Sequence, residues 1–354
     1  MTVSLILADG TCFKGESFGF QQPVSGELVF NTAMTGYPEL LTDPSSRGQL
    51  IVMTYPIIGN YGLQPVGSDE YGLPTGADSE HVQARALIVS DYSGFYSHWN
   101  AKESLEEWMK REHLLGMKGV DTRELTKHIR NHGSMAARII FENKKKPAEY
   151  AYTNMLDEVS CKETVTYNEG GEKTVVLVDY GVRPGMIRCL INEGLTVVRV
   201  PWNKDFSRIE CDGVVLSEGP GNPSYCSEAV AQIQKFMKKC ADKPILGVGM
   251  GCLLLGLAGG MDTYKLKFGH HTHNQPVRLE GTDRCFITTQ NHNYALREDS
   301  VVGKWKVYLK NLNDGSVEGI YNTRNPWVGV MFHSESDVIS TDARFIYEDF
   351  ADKL

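Results

Sequence analysis

The chain has 354 residues, of which 41% are hydrophobic and 23% are charged, and its formal net charge is −8. This is the composition of an ordinary globular protein, and the length is sufficient for two hydrophobic cores. The acidic balance argues against a nucleic-acid-binding protein, because no excess of Lys and Arg is available to neutralise phosphates. The cysteines form no CxxC pair, and the apolar run Leu5–Leu7 ends at Asp9 and Gly10, so no secretory leader is predicted. We expect a cytoplasmic protein with reduced cysteines.

The N-terminal part of the chain carries short β-type runs separated by turn signals, and it is rich in Gly, Thr, Tyr and Pro. One helix is predicted at 101–113. A second is predicted from Asp121, a typical N-cap residue, to about Asn131, before Gly133. The predicted strands are 3–7, 28–31, 50–54 and 86–89. The sequence therefore predicts a mainly β domain over residues 1–142.

The stretch 143–173 is charged and weakly patterned, which is typical of a connector, and its lysine run is interpreted as a solvated face. From Thr174 onward the pattern changes to alternating strands and helices. The predicted strands are 174–178, 196–200, 213–217 and 245–248, and the predicted helices are 184–192 and 228–239. Short β-branched strands separated by helices indicate a parallel sheet covered by helices, here over residues 174–354.

The segment Gly247–Gly251 is the most informative feature of the sequence. It links a predicted buried strand to an apolar helix through a turn of the pattern G-x-(nucleophile)-x-G. In such a turn the flanking glycines permit a strained backbone and close packing, so the central side chain points into a pocket. Here the central residue is Gly249, which has no side chain. The uncharged stretch 245–261 is also shorter than the roughly 20 residues of a membrane span.

Three further motifs lie where ligand sites of parallel sheets form, beyond the carboxyl ends of the strands. The loop Ser217–Pro223 contains glycines whose backbone N–H groups could bind an oxyanion. A polar turn is predicted at Gln290–Tyr294, after a strand at 285–289. His333 and Glu335, after an apolar run, are candidates for a general base and the carboxylate that orients it.

Together these motifs resemble the class I glutamine amidotransferases, and most closely the small-subunit family of carbamoyl-phosphate synthetase. The resemblance covers essentially the whole chain. It includes the N-terminal part, which generic amidotransferases lack, through the signatures Gly26–Thr32, Thr35–Glu39, Leu41–Ser45 and Gly119–Thr126. The resemblance implies a mainly β N-terminal domain followed by a class I amidotransferase-like parallel α/β domain. In this family the small subunit hydrolyses glutamine and delivers ammonia through a tunnel to a large subunit that uses ATP.

The resemblance also implies a role for individual residues. The family's triad of Cys, His and Glu maps onto the vacant position Gly249, His333 and Glu335. The oxyanion donors would be the backbone N–H groups of Gly219 and Met250. The positions implied to contact glutamine are Ser45, Gly219, Gly221, Leu253, Asn291, Asn293 and Tyr294.

Departures from the family pattern concentrate in this pocket. Glu218 replaces an Asn of the oxyanion loop, Leu253 replaces a Gln, and Asn293 replaces a Gly. The turn Arg183–Gly185 replaces one rich in Lys and Asn. Because glutamine hydrolysis in this class passes through a thioester, glycine at position 249 offers no covalent path. We therefore predict that glutaminase activity is lost and that glutamine is a doubtful ligand.

Cys252 could be considered as a displaced nucleophile. It lies about 300° further round the helix than Gly249, so it is interpreted as a small buried residue. The run His270–His273 lacks a fitting Cys or carboxylate partner, and no metal is predicted. No cofactor is expected in this chain, since ATP would be used by the large subunit.

Three functional hypotheses remain open from the sequence. The first is a small subunit that docks on a large synthetase subunit without hydrolysing glutamine, and that serves the supply of carbamoyl phosphate for pyrimidine or arginine synthesis. The second is a small subunit in which another nucleophile rescues hydrolysis. The third is a pseudoenzyme that acts as a binding or regulatory module independent of the synthetase. Whether the chain is itself an enzyme is thus left open.

Overall fold

The computed structural model describes residues 1–333, 335 and 342–354, and the chain divides into two compact units. Unit 1 comprises Met1–Tyr152 with Lys267–His271, and unit 2 comprises Thr153–Leu266 with Thr272–Leu354. The predicted domain boundaries stay predictions. Among the described residues, no helix is long and apolar enough to cross a membrane.

Unit 1 is built on a sheet that closes on itself. The strand order is β1-β11-β3-β4-β8-β10-β2, and β2 pairs back to β1. The strands of this unit are β1 (Thr2–Leu7), β2 (Cys12–Gly19), β3 (Val24–Asn31), β4 (Gln49–Met53), β5 (Ile57–Ile58), β6 (Gly67–Ser68), β7 (Pro74–Thr75), β8 (Ala86–Ile88), β9 (Asp91–Tyr92), β10 (Leu115–Lys118) and β11 (Met135–Phe141). Its helices are α1 (Tyr37–Thr42), α2 (Leu105–Arg111) and α3 (Thr122–His132).

The strands of unit 1 bury both of their faces, because alternate side chains enter two separate apolar clusters. Leu28 and Leu50 belong to one cluster, while the neighbouring Val29 and Ile51 belong to the other. Helix α2 is shorter than the predicted 101–113, since it begins only after the capping box that Ser104 forms with Glu107.

Unit 2 contains a ten-stranded sheet of order β12-β14-β13-β15-β16-β21-β20-β18-β17-β19. Its strands are β12 (Val165–Tyr167), β13 (Thr174–Asp179), β14 (Thr196–Pro201), β15 (Gly213–Leu216), β16 (Ile245–Val248), β17 (Thr263–Leu279, with 267–271 counted in unit 1), β18 (Cys285–Leu296), β19 (Trp305–Asn311), β20 (Val317–Asn322) and β21 (Trp327–Val330). Its helices are α4 (Leu156–Val159), α5 (Pro184–Asn192), α6 (Ser227–Lys239), α7 (Met250–Ala258) and α8 (Phe345–Ala351).

The centre of this sheet is parallel, with β14, β13, β15, β16 and β21 hydrogen-bonded in that order. The predicted fold class, a mainly β domain followed by a parallel α/β domain, is confirmed. Strand β16 and helix α5 have the predicted bounds, because a short buried run that ends in the glycine turn and a proline in the first turn mark them clearly.

The predicted polar turn at Gln290–Tyr294 was wrong, because these residues continue strand β18. The side chains of Gln290 and His292 find partners within the strand. One ring nitrogen of His292 lies 2.9 Å from the Tyr294 carbonyl oxygen, and the other lies 3.2 Å from the Gln290 side-chain oxygen. Polar residues therefore occupy a buried strand without a turn.

The turn between β16 and α7 depends on two glycines that allow close backbone approach. A Cβ atom at Gly247 would lie 2.7 Å from the Gly251 carbonyl oxygen. A Cβ atom at Gly251 would lie 2.1 Å from the Leu216 carbonyl oxygen of β15. Only glycine permits this packing of helix α7 against the sheet.

We predict that Gly251→Ala lowers the free energy of unfolding by at least about 1–3 kcal/mol, because the added methyl group overlaps a backbone oxygen. The matched control is Gly94→Ala, since a Cβ atom there meets nothing within 4 Å. Urea unfolding of the two variants tests this expectation. Equal midpoints would show that helix α7 can shift away from the sheet.

Candidate functional site

The carboxyl ends of four parallel strands meet at one edge of the sheet in unit 2. Arg183 follows β13, Glu218 follows β15, Gly249 follows β16, and His333 and Glu335 follow β21. The side chains are almost fully buried, with exposed fractions of 7% for Arg183, 1% for Glu218, 2% for Glu335 and 4% for His333. The sheet topology thus brings together residues that are distant in the sequence.

Gly249 has the backbone conformation of a nucleophile elbow. Its φ of 54° and ψ of −114° form a combination that residues with a side chain rarely adopt. Its N–H donates to the Val330 carbonyl oxygen at 2.8 Å, and its carbonyl oxygen accepts from the Leu253 N–H at 3.1 Å. A Cβ atom at position 249 would lie 3.2 Å from the Cβ of Glu218. The turn therefore has the shape of an elbow, and any side chain at position 249 would begin in close contact with Glu218.

His333 and Glu335 lie close together beside this turn. The Nδ1 atom of His333 is 3.7 Å from Oε1 of Glu335, which is longer than a hydrogen bond. The His333 backbone N–H donates to the Thr289 carbonyl oxygen at 2.9 Å, which fixes its position beside β18. The Tyr347 hydroxyl lies 3.3 Å from the other carboxylate oxygen of Glu335. The pair is held in place, but the Glu335 carboxylate makes its close contacts with groups other than His333.

The main partner of the Glu335 carboxylate is the side chain of Arg183. Its Nη2 group donates to Oε1 of Glu335, the same oxygen that faces His333. Its Nε lies 3.4 Å from Oε1 of Glu218, which also accepts the Arg183 backbone N–H at 3.0 Å. The sequence marked residues 183–185 only as a departure from the family, and it gave no sign that this side chain joins two buried carboxylates.

Burial shapes the charges of this group, which we call the Arg183 cluster (Arg183, Glu218, His333 and Glu335). Burial, and secondly the negative charge of Glu335, raise the pKa of Glu218 well above its ordinary value, against the opposing effect of Arg183. Burial thus favours the uncharged form of Glu218. The positive charge of Arg183 is also felt on β17, where burial and then Arg183 lower the pKa of His273 to about 4.

Three of these side chains also carry potential metal ligands. Ligand atoms of Glu218, His333 and Glu335 lie within 4.8 Å of one another, and such donors suit zinc or manganese. However, the Arg183 guanidinium already contacts both carboxylates. A divalent cation would add a second positive charge against it in a buried space. The Arg183 cluster therefore does not fit a metal, and none is assigned there.

Comparison with known proteins shows the family. A family model described as carbamoyl-phosphate synthase small chain, CPSase domain, matches residues 5–139, and one described as glutamine amidotransferase class-I matches residues 176–353. The arginine-specific small chain of carbamoyl phosphate synthase from Chaetomium globosum is 38% identical, over 99% of this chain and 78% of that protein. The chain belongs to the carbamoyl-phosphate synthase small-chain family.

Other relatives are much longer than this small chain. The multifunctional protein CAD of Squalus acanthias is 40% identical over 98% of this chain, but only 16% of that protein is matched. The mitochondrial carbamoyl-phosphate synthase (ammonia) of Homo sapiens is 39% identical over 99% of this chain and 23% of that protein. The small chain thus spans less than a quarter of the length of these two relatives.

The positions that the small-chain family implies for glutamine binding lie partly in the hydrophobic core and partly in a tightly packed loop. Leu253 and Tyr294 belong to the hydrophobic core of unit 2, as does Met250 of the implied oxyanion hole. A Cβ atom at Gly219 would lie 2.1 Å from the Tyr180 carbonyl oxygen, so this loop packs tightly on the end of β13. Gly221 adopts a φ of 91°.

The remaining implied positions are on β18 and in unit 1. Asn293 is buried and Asn291 is half-buried. Ser45 is in unit 1, where its N–H donates to the Asp43 carboxylate at 2.8 Å. The role of all these residues in binding glutamine stays a prediction.

Cys252 is packed inside the small chain. A Cβ atom at Gly329 of β21 would lie 2.7 Å from its Sγ, so the sulfur faces the sheet. Burial, and secondly the charge of Glu318, raise the pKa of this thiol. A thiol that stays protonated and faces the sheet is a poor nucleophile.

We predict that Arg183→Met lowers the free energy of unfolding at pH 7 by about 3–5 kcal/mol, because it leaves a buried carboxylate without its counter-charge. The double variant Arg183→Met/Glu335→Gln should recover more of that loss than Arg183→Met/Glu218→Gln, since burial raises the pKa of Glu218 and so already favours its uncharged form. Urea unfolding of the set measures both effects. Equal recovery by the two double variants would contradict this difference between the two carboxyl groups.

A second prediction concerns pH. The folded pKa of Glu218 is raised, so the folded chain binds more protons than the unfolded chain above the ordinary value of 4.5. The contribution of Glu218 to stability is therefore full below that pH and is lost as pH rises through the folded pKa. We expect the free energy of unfolding of Glu218→Gln minus that of the unmodified chain to increase with pH. A difference that is flat or that decreases between pH 4 and 9 would contradict this expectation.

Proposed function

We propose that this small chain supports carbamoyl-phosphate synthesis without hydrolysing glutamine, so that the synthetase it serves takes ammonia directly. The observation that carries the proposal is Gly249, which has the backbone of a nucleophile elbow and no side chain. Family membership supplies the biochemical setting. The chain would serve as a structural or regulatory partner of a large, ATP-using synthetase chain.

The chemistry of hydrolysis supports the loss of activity. A thioester forms only on a cysteine sulfur, and removal of the nucleophile from a triad enzyme costs about 10⁶-fold in kcat. His333 can accept a proton only from a group that is present, and position 249 offers none. Cys252 is buried with its sulfur against Gly329, which argues against rescue by a displaced nucleophile.

The names of the relatives support the choice of partner. One relative is named an ammonia form of carbamoyl-phosphate synthase, and another is a multifunctional protein, and each is several times longer than this chain. We infer that the small chain acts together with a synthetase, either as a separate polypeptide or as part of a longer one. Supply of carbamoyl phosphate to pyrimidine or arginine synthesis and a cytoplasmic location are parts of the same proposal.

The test is an assay of carbamoyl phosphate formation by the chain with a large synthetase chain, given ATP, bicarbonate and either glutamine or ammonium. We expect synthesis with ammonium and none above background with glutamine. Gly249→Cys alone should restore little glutamine use, because Glu218 crowds the new side chain and residues of one site act as a unit.

The control variant is Cys252→Ser, which should leave ammonium-dependent synthesis unchanged. Glutamine hydrolysis by the unmodified chain that disappears in Cys252→Ser would overturn the proposal and identify a displaced nucleophile. If the small chain neither binds a large chain nor changes its activity, the alternative of an independent binding or regulatory module is favoured instead.

A further inference from the structure

We propose that Arg183 is the resident occupant of the glutamine position, a specificity-determining side chain that excludes small amide ligands from the Gly249 turn. The inference rests on the proposed function, because it takes position 249 as that of the missing nucleophile. It goes further in stating that Arg183 also closes the site, which already lacks a nucleophile.

The first support is the placement of the guanidinium between two walls of the site. Arg183 contacts Glu335, which stands at the triad carboxylate position, and Glu218 of the oxyanion loop. Glu218 in turn is the nearest neighbour of the space in front of Gly249, at 3.2 Å from a Cβ atom there. Arg183 therefore connects the triad carboxylate position to the residue that borders the elbow.

The second support is burial. Arginine is a long, flexible side chain that keeps its charge, and it is rarely buried unless it is paired. Here its side chain is 7% exposed and those of its two carboxylate partners are 1% and 2% exposed. Arg183 is thus enclosed with its two carboxyl partners, and ligand entry would require these contacts to open.

The third support comes from the same turn of helix α5. A Cβ atom at Gly185 would lie 2.8 Å from Cγ and 3.1 Å from the carbonyl oxygen of Glu335. The absence of a side chain at 185 lets the first turn of α5 press directly on Glu335. Arg183 and Gly185, which both depart from the family pattern, therefore act together on the triad carboxylate.

The experiment uses a thiol introduced at the elbow as a probe of access. Gly249→Cys is treated with iodoacetamide, a small amide, and alkylation at position 249 is followed by peptide mass spectrometry. Cys252 lies three residues away in the same peptide and serves as an internal buried control, and the exposed Cys12 and Cys285 serve as open controls. We expect alkylation at 249 to be slow in this variant and at least ~10-fold faster in Gly249→Cys/Arg183→Ala, because the closed state must otherwise open first.

Steric occlusion by Arg183 and the electrostatic effect of its charge predict opposite changes in the alkylation rate when Arg183 is removed. A nearby guanidinium lowers the pKa of a thiol and speeds alkylation, so removing Arg183 would slow the reaction if access were already open. Gly249→Cys/Arg208→Ala is the matched control, since Arg208 is an arginine of unit 2 with an exposed side chain. Its rate should equal that of Gly249→Cys.

Since Arg183→Ala could destabilise the chain, each variant is labelled well below its thermal midpoint. Arg183→Lys, which keeps the charge but lacks the planar fork, provides a second variant with an intermediate rate. Alkylation of Gly249→Cys as fast as that of Cys12 would overturn the proposal, and so would an unchanged or slower rate without Arg183. Either result leaves the absence of glutaminase activity untouched, whereas glutamine hydrolysis by the unmodified chain would overturn the proposed function itself.

Discussion

The arrangement at the carboxyl edge of the parallel sheet depends on the compensation of buried charge. Two carboxylates follow β15 and β21, and neither is exposed enough for water to solvate it. One guanidinium after β13 contacts both, and the raised pKa of Glu218 reflects the cost of burying a second negative charge beside Glu335. The start of helix α5, the loop at Ser217–Gly219 and the segment at His333 are fixed relative to one another by this requirement. A change in any one charge therefore affects all three segments.

The turn at Gly249 shows that backbone packing alone can require the glycines that frame a nucleophile elbow. Gly247 and Gly251 are required because the backbones of β15, β16 and α7 approach too closely for a Cβ atom. That requirement comes from packing and is independent of what stands at position 249. The glycine frame and the His-x-Glu spacing can thus persist without selection for catalysis, and they are not evidence of activity by themselves.

The sequence allowed the fold class and several elements to be predicted because their signals are local. The short buried run of β16, the proline that opens α5 and the cap at Asp121 each act within a few residues. The juxtaposition of His333 and Glu335 could also be anticipated from their spacing. Arg183 could not, because its partner Glu335 is 152 positions away and a flexible side chain leaves no periodic pattern. At Gln290–Tyr294 the polar residues predicted a turn. The structure has a strand there, because His292 finds its hydrogen-bond partners at Gln290 and Tyr294 of the same strand.

The backbone at Gly249 has a consequence for any substitution at this position. At φ 54° and ψ −114° glycine is relaxed, whereas any other residue there is strained by roughly 1–3 kcal/mol. A cysteine placed at this position would carry that strain and would meet the Cβ of Glu218, and the carboxylate of Glu335 beside it would already be bound to Arg183. A functional thiol at position 249 would therefore need accompanying changes at Glu218 and Arg183.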